Sequence, residues 1–376
     1  MHTMHPTLRI GPADWNPTRL PRDEFEDRIA QLWVDHPDAG GALVYGDPHD
    51  HSALSYLTHF TPKLEAGLAL IPRDGTIRLL VGGGPNMVPA ARPLTFVDEL
   101  QALRGVAVAA EWARRLPNAT KLVVLGGNSM PFGFHRALEN ALRDRRDPVP
   151  GDAELAGRMR VKSARELMIL RRACALLSNG VDVLQEEFRR GAGVTDIILA
   201  AEHAVIGQGA QDVRSLFSLD SSMTLRPFDL PVPAKPDLLR SYFAVCFDGY
   251  WAEAFVSLSS GRDELALHTQ RIVEALSAAA RPGLSPAALW NITDEMRGPL
   301  SLHPLCVRSL GGVIGLSLGD GSLTRDSQAP LLAGEVYAVH VGLRDSDHAA
   351  LASSMVCVTD MGVERLWPIG KCDERH

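Results

Sequence analysis

Two side chains suited to acid–base or binding chemistry, Tyr242 and Glu253, flank Asp248-Gly249 in SYFAVCFDGYWAEAFVSLS, residues 241–259. Asp248-Gly249 can supply the positive φ angles of a two-residue type I′ turn, and the runs on either side are rich in aromatic and β-branched residues. With that turn Phe247 faces Tyr250, Ala244 faces Glu253 and Tyr242 faces Phe255; alternation then puts Tyr242, Cys246, Trp251 and Glu253 on one surface. One face of the hairpin therefore carries a phenol and a carboxylate, groups that can move a proton, hold a cationic group or bind a metal. The plain alternative is a solvated or ion-paired carboxylate beside an aromatic strand residue. Arg308, just before Gly311-Gly312, has the fork that grips a carboxylate at two points, although surface arginines are common in this chain. Arg344-Asp345-Ser346-Asp347-His348 reads as a solvated loop from which His348 could reach a site. His49 and His51 have ligand-like spacing without nearby partners and read as a polar loop.

The elements that must position these residues are also legible. EVYAVHVGL (335–343) reads as a strand beside a second hairpin, ASSMVCVTDMGVERLWP (352–368), with Asp360-Met361-Gly362 as its turn. Ser163-Ala-Arg-Glu166 has capping-box spacing, so a long helix should start there, with Leu167, Leu170, Leu177, Val181 and Leu184 on its apolar face. Thr195-Asp196 and Ser285-Pro286 look like two further helix starts. The later part of the chain is thus α+β, helices first. Earlier, GALVYGD (41–47), AGLALIP (66–72), TIRLLVG (76–82) and KLVVLGG (121–127) read as strands. They alternate with helical spacing such as VDELQALRGVAVAAEWARRL (97–116), which predicts an α/β domain. RDRRDPVPGDAELAG (143–157) interrupts the pattern, giving domains 1–155 and 156–376.

At 376 residues two domains are expected, and a net charge of −7 gives no general attraction to nucleic acid or an anionic membrane. The five cysteines lack CxxC spacing and read as reduced thiols rather than a disulfide framework or structural zinc site. No apolar run approaches the roughly 20 residues that span a bilayer, and a cytoplasmic protein is expected.

Several segments resemble the creatinase/prolidase/methionine-aminopeptidase superfamily. RMRVKSARELMILRRACALLSNGVDVL looks like its linker and first helix, and SALSYLTHFTPKLEAGLALIPRDGTIRLLV like its N-terminal domain. DGYWAEAF resembles its first metal-binding hairpin, GGVIGL its GHGIGL loop, LLAGEVYAVHVGL its L-x-x-G-M-V-x-x-x-E-P-G strand, and SSMVCVTDMGVERL its closing hairpin. The resemblance implies a pita-bread C-terminal domain, a smaller α/β creatinase-type N-terminal domain, and a homodimer in which the N-terminal domain approaches the partner's active site.

Carried over residue by residue, the family's metal ligands Asp, Asp, His, Glu and Glu fall on Tyr242, Glu253, Gly312, His340 and Ser353. Only Glu253 keeps the chemistry, and glycine and serine cannot hold two divalent ions together. A further family histidine corresponds to Gly319. Creatinase shows that this fold can hydrolyse a C–N bond without a metal, but its histidine lies in a segment that here, at 216–241, has none. His340 becomes the substitute base, because imidazole titrates near neutrality; the alternative is a core histidine bonded to a carbonyl. Asp320 stands where the family often has a carboxylate.

The expectation is a metal-independent hydrolase or lyase acting on a C–N bond of a small polar nitrogen-containing substrate. Its catalytic residues would be Glu253, His340 and Tyr242, its substrate-binding residues Trp251, Arg308, Asp320 and His348, and it would need no cofactor. Two alternatives are one transition metal held by Tyr242, Glu253 and His340, and a non-catalytic binding module of the Xaa-Pro peptidase family.

Overall fold

A computed structural model describes residues 14–117, 120–142, 148–219, 224–227, 231–319, 321–346 and 348–367. The chain divides into two compact units, Met1–Met159 and Arg160–His376.

The first unit contains α1 (Arg22–Asp35), β1 (Ala39–Gly46), α2 (Ser52–Thr58), β2 (Gly67–Pro72), β3 (Arg78–Val81), α3 (Val88–Ala91), β4 (Glu99–Ala102), α4 (Ala107–Arg115), β5 (Lys121–Leu125), α5 (Phe132–Leu142), β6 (Pro148–Pro150) and α6 (Asp152–Arg160). Its six-stranded mixed sheet runs β4-β3-β2-β1-β5-β6, and Leu43, Leu70, Leu80, Leu122 and Val124 join Ala113 and Leu138 of the helices in one core. Helical spacing over 97–116 holds only for its second half. Residues 99–102 form strand β4, and Gly105, at φ +75°, separates it from α4. The stretch expected to be a seam runs into α6.

The second unit contains α7 (Ala164–Arg190), α8 (Val194–Gly207), β7 (Asp212–Leu219), β8 (Leu238–Phe247), β9 (Tyr250–Ser259), α9 (Glu264–Ala279), α10 (Pro286–Arg297), β10 (Ser301–Leu302), β11 (Ser309–Val313), β12 (Gly321–Thr324), β13 (Val336–Arg344), β14 (Ala349–Thr359) and β15 (Gly362–Trp367). One sheet runs β12-β11-β13-β14-β15, with β10 also on β13; a three-stranded sheet runs β7-β8-β9.

Helix α7 starts as its sequence dictates. Ser163 Oγ accepts from Glu166 N at 3.2 Å and Glu166 Oε2 accepts from Ser163 N at 2.9 Å, closing the capping box. Glu166 Oε1 also accepts from the Tyr250 hydroxyl at 3.0 Å, which ties the helix start to the start of β9. Further along, Gly180 lets α7 press on the sheet, since an added Cβ would lie 2.4 Å from the Phe243 ring. Ser285 caps α10 with Pro286 in its first turn, as expected. Helix α8 begins at Val194 rather than at Thr195-Asp196, because the Thr195 hydroxyl is spent on Val232, accepting from its N–H at 2.7 Å.

Both hairpins form. Asp248 and Gly249 have φ of 53° and 84°, and the register pairs Phe247 with Tyr250, Ala244 with Glu253 and Tyr242 with Phe255. In the second hairpin Gly362 pairs with Thr359, so the turn holds only Asp360 and Met361. Among the described residues no helix is long and apolar enough to cross a membrane.

His303 precedes the turn Pro304–Cys306 and is tied to β13, its N–H donating to Gly342 O at 2.8 Å while its Nδ1 accepts from Leu305 N at 3.2 Å. Burial, with Arg240 and Arg344 nearby, lowers its pKa from 6.5 to about 4. Between those values the unfolded chain binds the extra proton and the folded one does not. Stability is therefore full above pH 6.5 and is lost as pH falls toward 4, by about 2–3 kcal/mol. Urea unfolding at pH 7 and pH ~4.5 should show His303→Asn losing about 2 kcal/mol less than the parent over that interval. Equal losses would remove His303 as the cause.

Candidate functional site

Strand periodicity turns the chemical residues toward one another. Phe243, Val245, Ala252 and Ala254 are fully buried, with Phe243 against α7, so alternation sends Tyr242, Ala244, Glu253 and Phe255 to the opposite face. On β13, Val339 and Val341 enter the core built with Ile272, Leu276 and Trp290 of α9 and α10. His340 must then project from the other surface of its sheet.

The β7-β8-β9 sheet meets the larger one through serine hydroxyls rather than a main-chain ladder. Ser353 Oγ on β14 accepts from Phe255 N at 2.7 Å, while Ser257 Oγ on β9 accepts from Leu351 N at 2.9 Å and donates to Leu351 O at 3.0 Å. Ser353 pairs directly with His340. This carries the imidazole to the hairpin: His340 Nε2 lies 3.1 Å from Glu253 Oε1, and the ring stands edge-on to Phe255 with centroids 4.8 Å apart. The Tyr242 hydroxyl donates to the other carboxylate oxygen, Glu253 Oε2, at 2.5 Å. Glu253 is 5% exposed, and the His340 side chain is 14% exposed.

Two features give this trio its chemical character. Burial, reinforced by the Glu253 charge, pushes the Tyr242 phenol far above its ordinary value, so the hydroxyl stays protonated and serves as a donor. The His340–Glu253 contact is close but not aligned, and His340 Nε2 is buried without a hydrogen bond.

The remaining candidates are dispersed. Trp251 lies on the Glu253 face, its backbone N–H donating to Gly315 O at 2.8 Å. Arg308 is exposed on the approach to β11, outside the trio. His348 is held away from it by Asp263 Oδ1, the cap of α9, at 3.4 Å and by Asp345 Oδ1 at 3.3 Å. Asp320 lies outside the described residues. Sequence reading passed over Arg214, whose guanidinium sits 4.6 Å from the centre of the Trp251 ring. The alternation of DVRSLFSL was the available signal, but β7 can be placed beside the hairpin only once the sheet is assembled.

Glu253, His340 Nε2 and the neutral Tyr242 oxygen are the donors at hand. Among the described residues no group of three or more His, Cys, Asp or Glu converges as a metal ion would require. Gly312 pairs with Ala338 on β13, and a Cβ there would lie 1.9 Å from Gly321 O, so the backbone leaves no room for a side chain. The Ser353 hydroxyl is committed to joining the sheets.

Neither a family model nor a curated protein matches the sequence. Solved structures do. The chain is similar to the prolidase of Pyrococcus horikoshii, with a TM-score of 0.75, 16% identity and coverage of 92% of this chain and 98% of that one. It is also similar to the X-Pro aminopeptidase of Thermotoga maritima, at TM-score 0.73, 17% identity and coverage of 90% and 98%. The N-terminal domain of FACT complex subunit SPT16 from chickpea gives TM-score 0.68, 13% identity and coverage of 93% and 97%. The chain therefore has the two-domain fold of the Xaa-Pro aminopeptidases and prolidases, the pita-bread architecture.

Two substitutions probe this assembly. Tyr242→Phe removes the donor to a buried carboxylate and should cost about 1.5–3 kcal/mol in urea unfolding; unchanged stability would mean that Glu253 does not depend on the phenol. Gly312→Ala should cost about 2–3 kcal/mol by overpacking against the Gly321 carbonyl, and a neutral result would show a backbone with more room than the geometry allows.

Proposed function

We propose that this protein is a hydrolase that acts on a C–N bond of a small polar nitrogen-containing substrate without a metal ion. The observation that carries the reading is the Tyr242–Glu253–His340 arrangement, where one carboxylate accepts a hydrogen bond from the phenol on one oxygen and faces an imidazole at 3.1 Å on the other. The likeness to structures named as an X-Pro aminopeptidase and an Xaa-Pro dipeptidase supports hydrolytic chemistry.

In this reading Glu253 orients His340 and stabilises its charged form, and the opposite ring nitrogen removes a proton from the attacking water. Water oxygen bonds to the substrate carbon, the C–N bond breaks, and the imidazolium returns the proton to the departing nitrogen. Tyr242 holds Glu253 in place. Two divalent ions do not suit this donor set, because a single carboxylate cannot bridge and neutralise them and position 312 has no space for a ligand. One ion bound through Tyr242 would need a phenolate, which its raised pKa opposes.

The likeness to a subunit of the FACT complex favours a second reading, a non-catalytic binding module. Both are tested by assaying guanidino, amide and N-alkyl amino-acid compounds with chelator present and measuring metal per chain. The first reading expects turnover that survives chelator, less than ~0.1 metal per chain, and a fall of ~10²–10⁴ in kcat for His340→Gln and for Glu253→Gln, with both variants folded. Absence of turnover on every compound would favour the binding module. Xaa-Pro peptide cleavage stimulated by manganese would overturn both.

A further inference from the structure

The first unit holds a cleft that takes no part in the acid–base chemistry of the second. Its volume, about 460 Å³, falls within the range of small-molecule sites, and it lies between α1 and the connection from β2 to β3, with residues 96–98 beside the start of the helix. The floor is apolar: Ile29, Ile71, Phe96 and Val97 are 8%, 0%, 3% and 2% exposed. Trp33, Pro72 and Ile77 are half-buried along the walls. One stripe of α1 faces the cleft, since Arg22, Glu26, Ala30 and Trp33 recur at helical spacing.

Four charged side chains line this space, Arg22, Glu26, Arg73 and Asp98, and three of them are engaged. Arg22 donates to Phe96 O and to Asp98 Oδ2, both at 3.0 Å, so that pair is neutral. Arg73 donates to the carbonyls of Trp33 and His36, each at 3.1 Å, and supplies the positive charge that the last turn of α1 lacks in its own sequence. Glu26 is exposed and, among the described residues, makes no hydrogen bond or ion pair. Its neighbours one turn away do not serve it, because Arg22 is turned to Asp98 and the Ala30 side chain has no polar group. One carboxylate is left uncompensated beside an apolar surface.

The layout also sets an orientation. Glu26 and Trp33 stand two turns apart, roughly 10 Å along the helix axis, with the small Ala30 between them. The Arg73 guanidinium lies 5.5 Å from the centre of the Trp33 ring. The Trp33 end therefore repels a cation and the Glu26 end attracts one. We propose that this cleft binds hydrophobic amines, with the ammonium on Glu26 and the apolar body lying across Ala30 against Trp33 and Ile77. The site is built from the first unit alone and does not depend on the reading of the Glu253–His340 pair.

The test is calorimetric titration of the full chain at neutral pH with tryptamine against tryptophol and 4-phenylbutylamine against 4-phenylbutanol. In each pair an ammonium is exchanged for a hydroxyl. The parent should bind the amine of at least one pair about fivefold or more tightly than its alcohol, as a hydrogen bond between charged partners provides. Glu26→Gln should bring that ratio down to about one while the alcohol binds as before. Ala30→Phe, which fills the middle of the cleft, should weaken amine and alcohol alike. Both positions are exposed on α1, so thermal melts of the two variants should match the parent. An amine preference that survives Glu26→Gln, equal affinity for amine and alcohol, unchanged binding in Ala30→Phe, or no binding of any probe would each overturn the proposal.

Discussion

A carboxylate taken out of water must find hydrogen-bond donors or charges, or the fold loses several kcal/mol. Glu253 is in that position, and the architecture around it supplies a hydrogen-bond donor and a facing imidazole. The phenol comes from the neighbouring strand of its own hairpin, and the imidazole from a strand of the other sheet. For the phenol to reach, the hairpin register must be fixed, which the positive φ angles at Asp248 and Gly249 accomplish. For the imidazole to reach, β13 must present its even-numbered face, and the burial of Val339 and Val341 under α9 and α10 ensures that it does.

The join between the two sheets has a chemical consequence. A continuous ladder would place strands about 4.8 Å apart and fill the space with main chain. Serine hydroxyls at 257 and 353 bridge β9 and β14 instead, and Ser353 is the direct neighbour of His340. The Phe255 ring fills the adjoining gap, lying against both Tyr242 and His340. Residues that stand where the resemblance implies metal ligands have structural duties here. Ser353 joins sheets, Gly312 permits a close backbone approach, and Tyr242 donates to the carboxylate. Placing a metal-ligating side chain at any of these three positions would disturb what the present residue does.

Both hairpins, the capping box at Ser163 and the proline-primed start of α10 could be read from the chain because each depends on a few consecutive residues and their intrinsic φ preferences. The face shared by Tyr242 and Glu253 followed from the same local rule. Local rules failed where a tertiary partner competed. Residues 99–102 entered a sheet in spite of helical spacing, and His348 was drawn to the Asp263 cap. By itself the sequence determined the two hairpins, the capped starts of α7 and α10 and the face shared by Tyr242 and Glu253, since these depend on neighbours along the chain. Only the tertiary structure decided that His340 stands 3.1 Å from Glu253 and that Arg214 leans over Trp251, because those distances are set by how separate sheets and strands pack, which no spacing along one segment encodes.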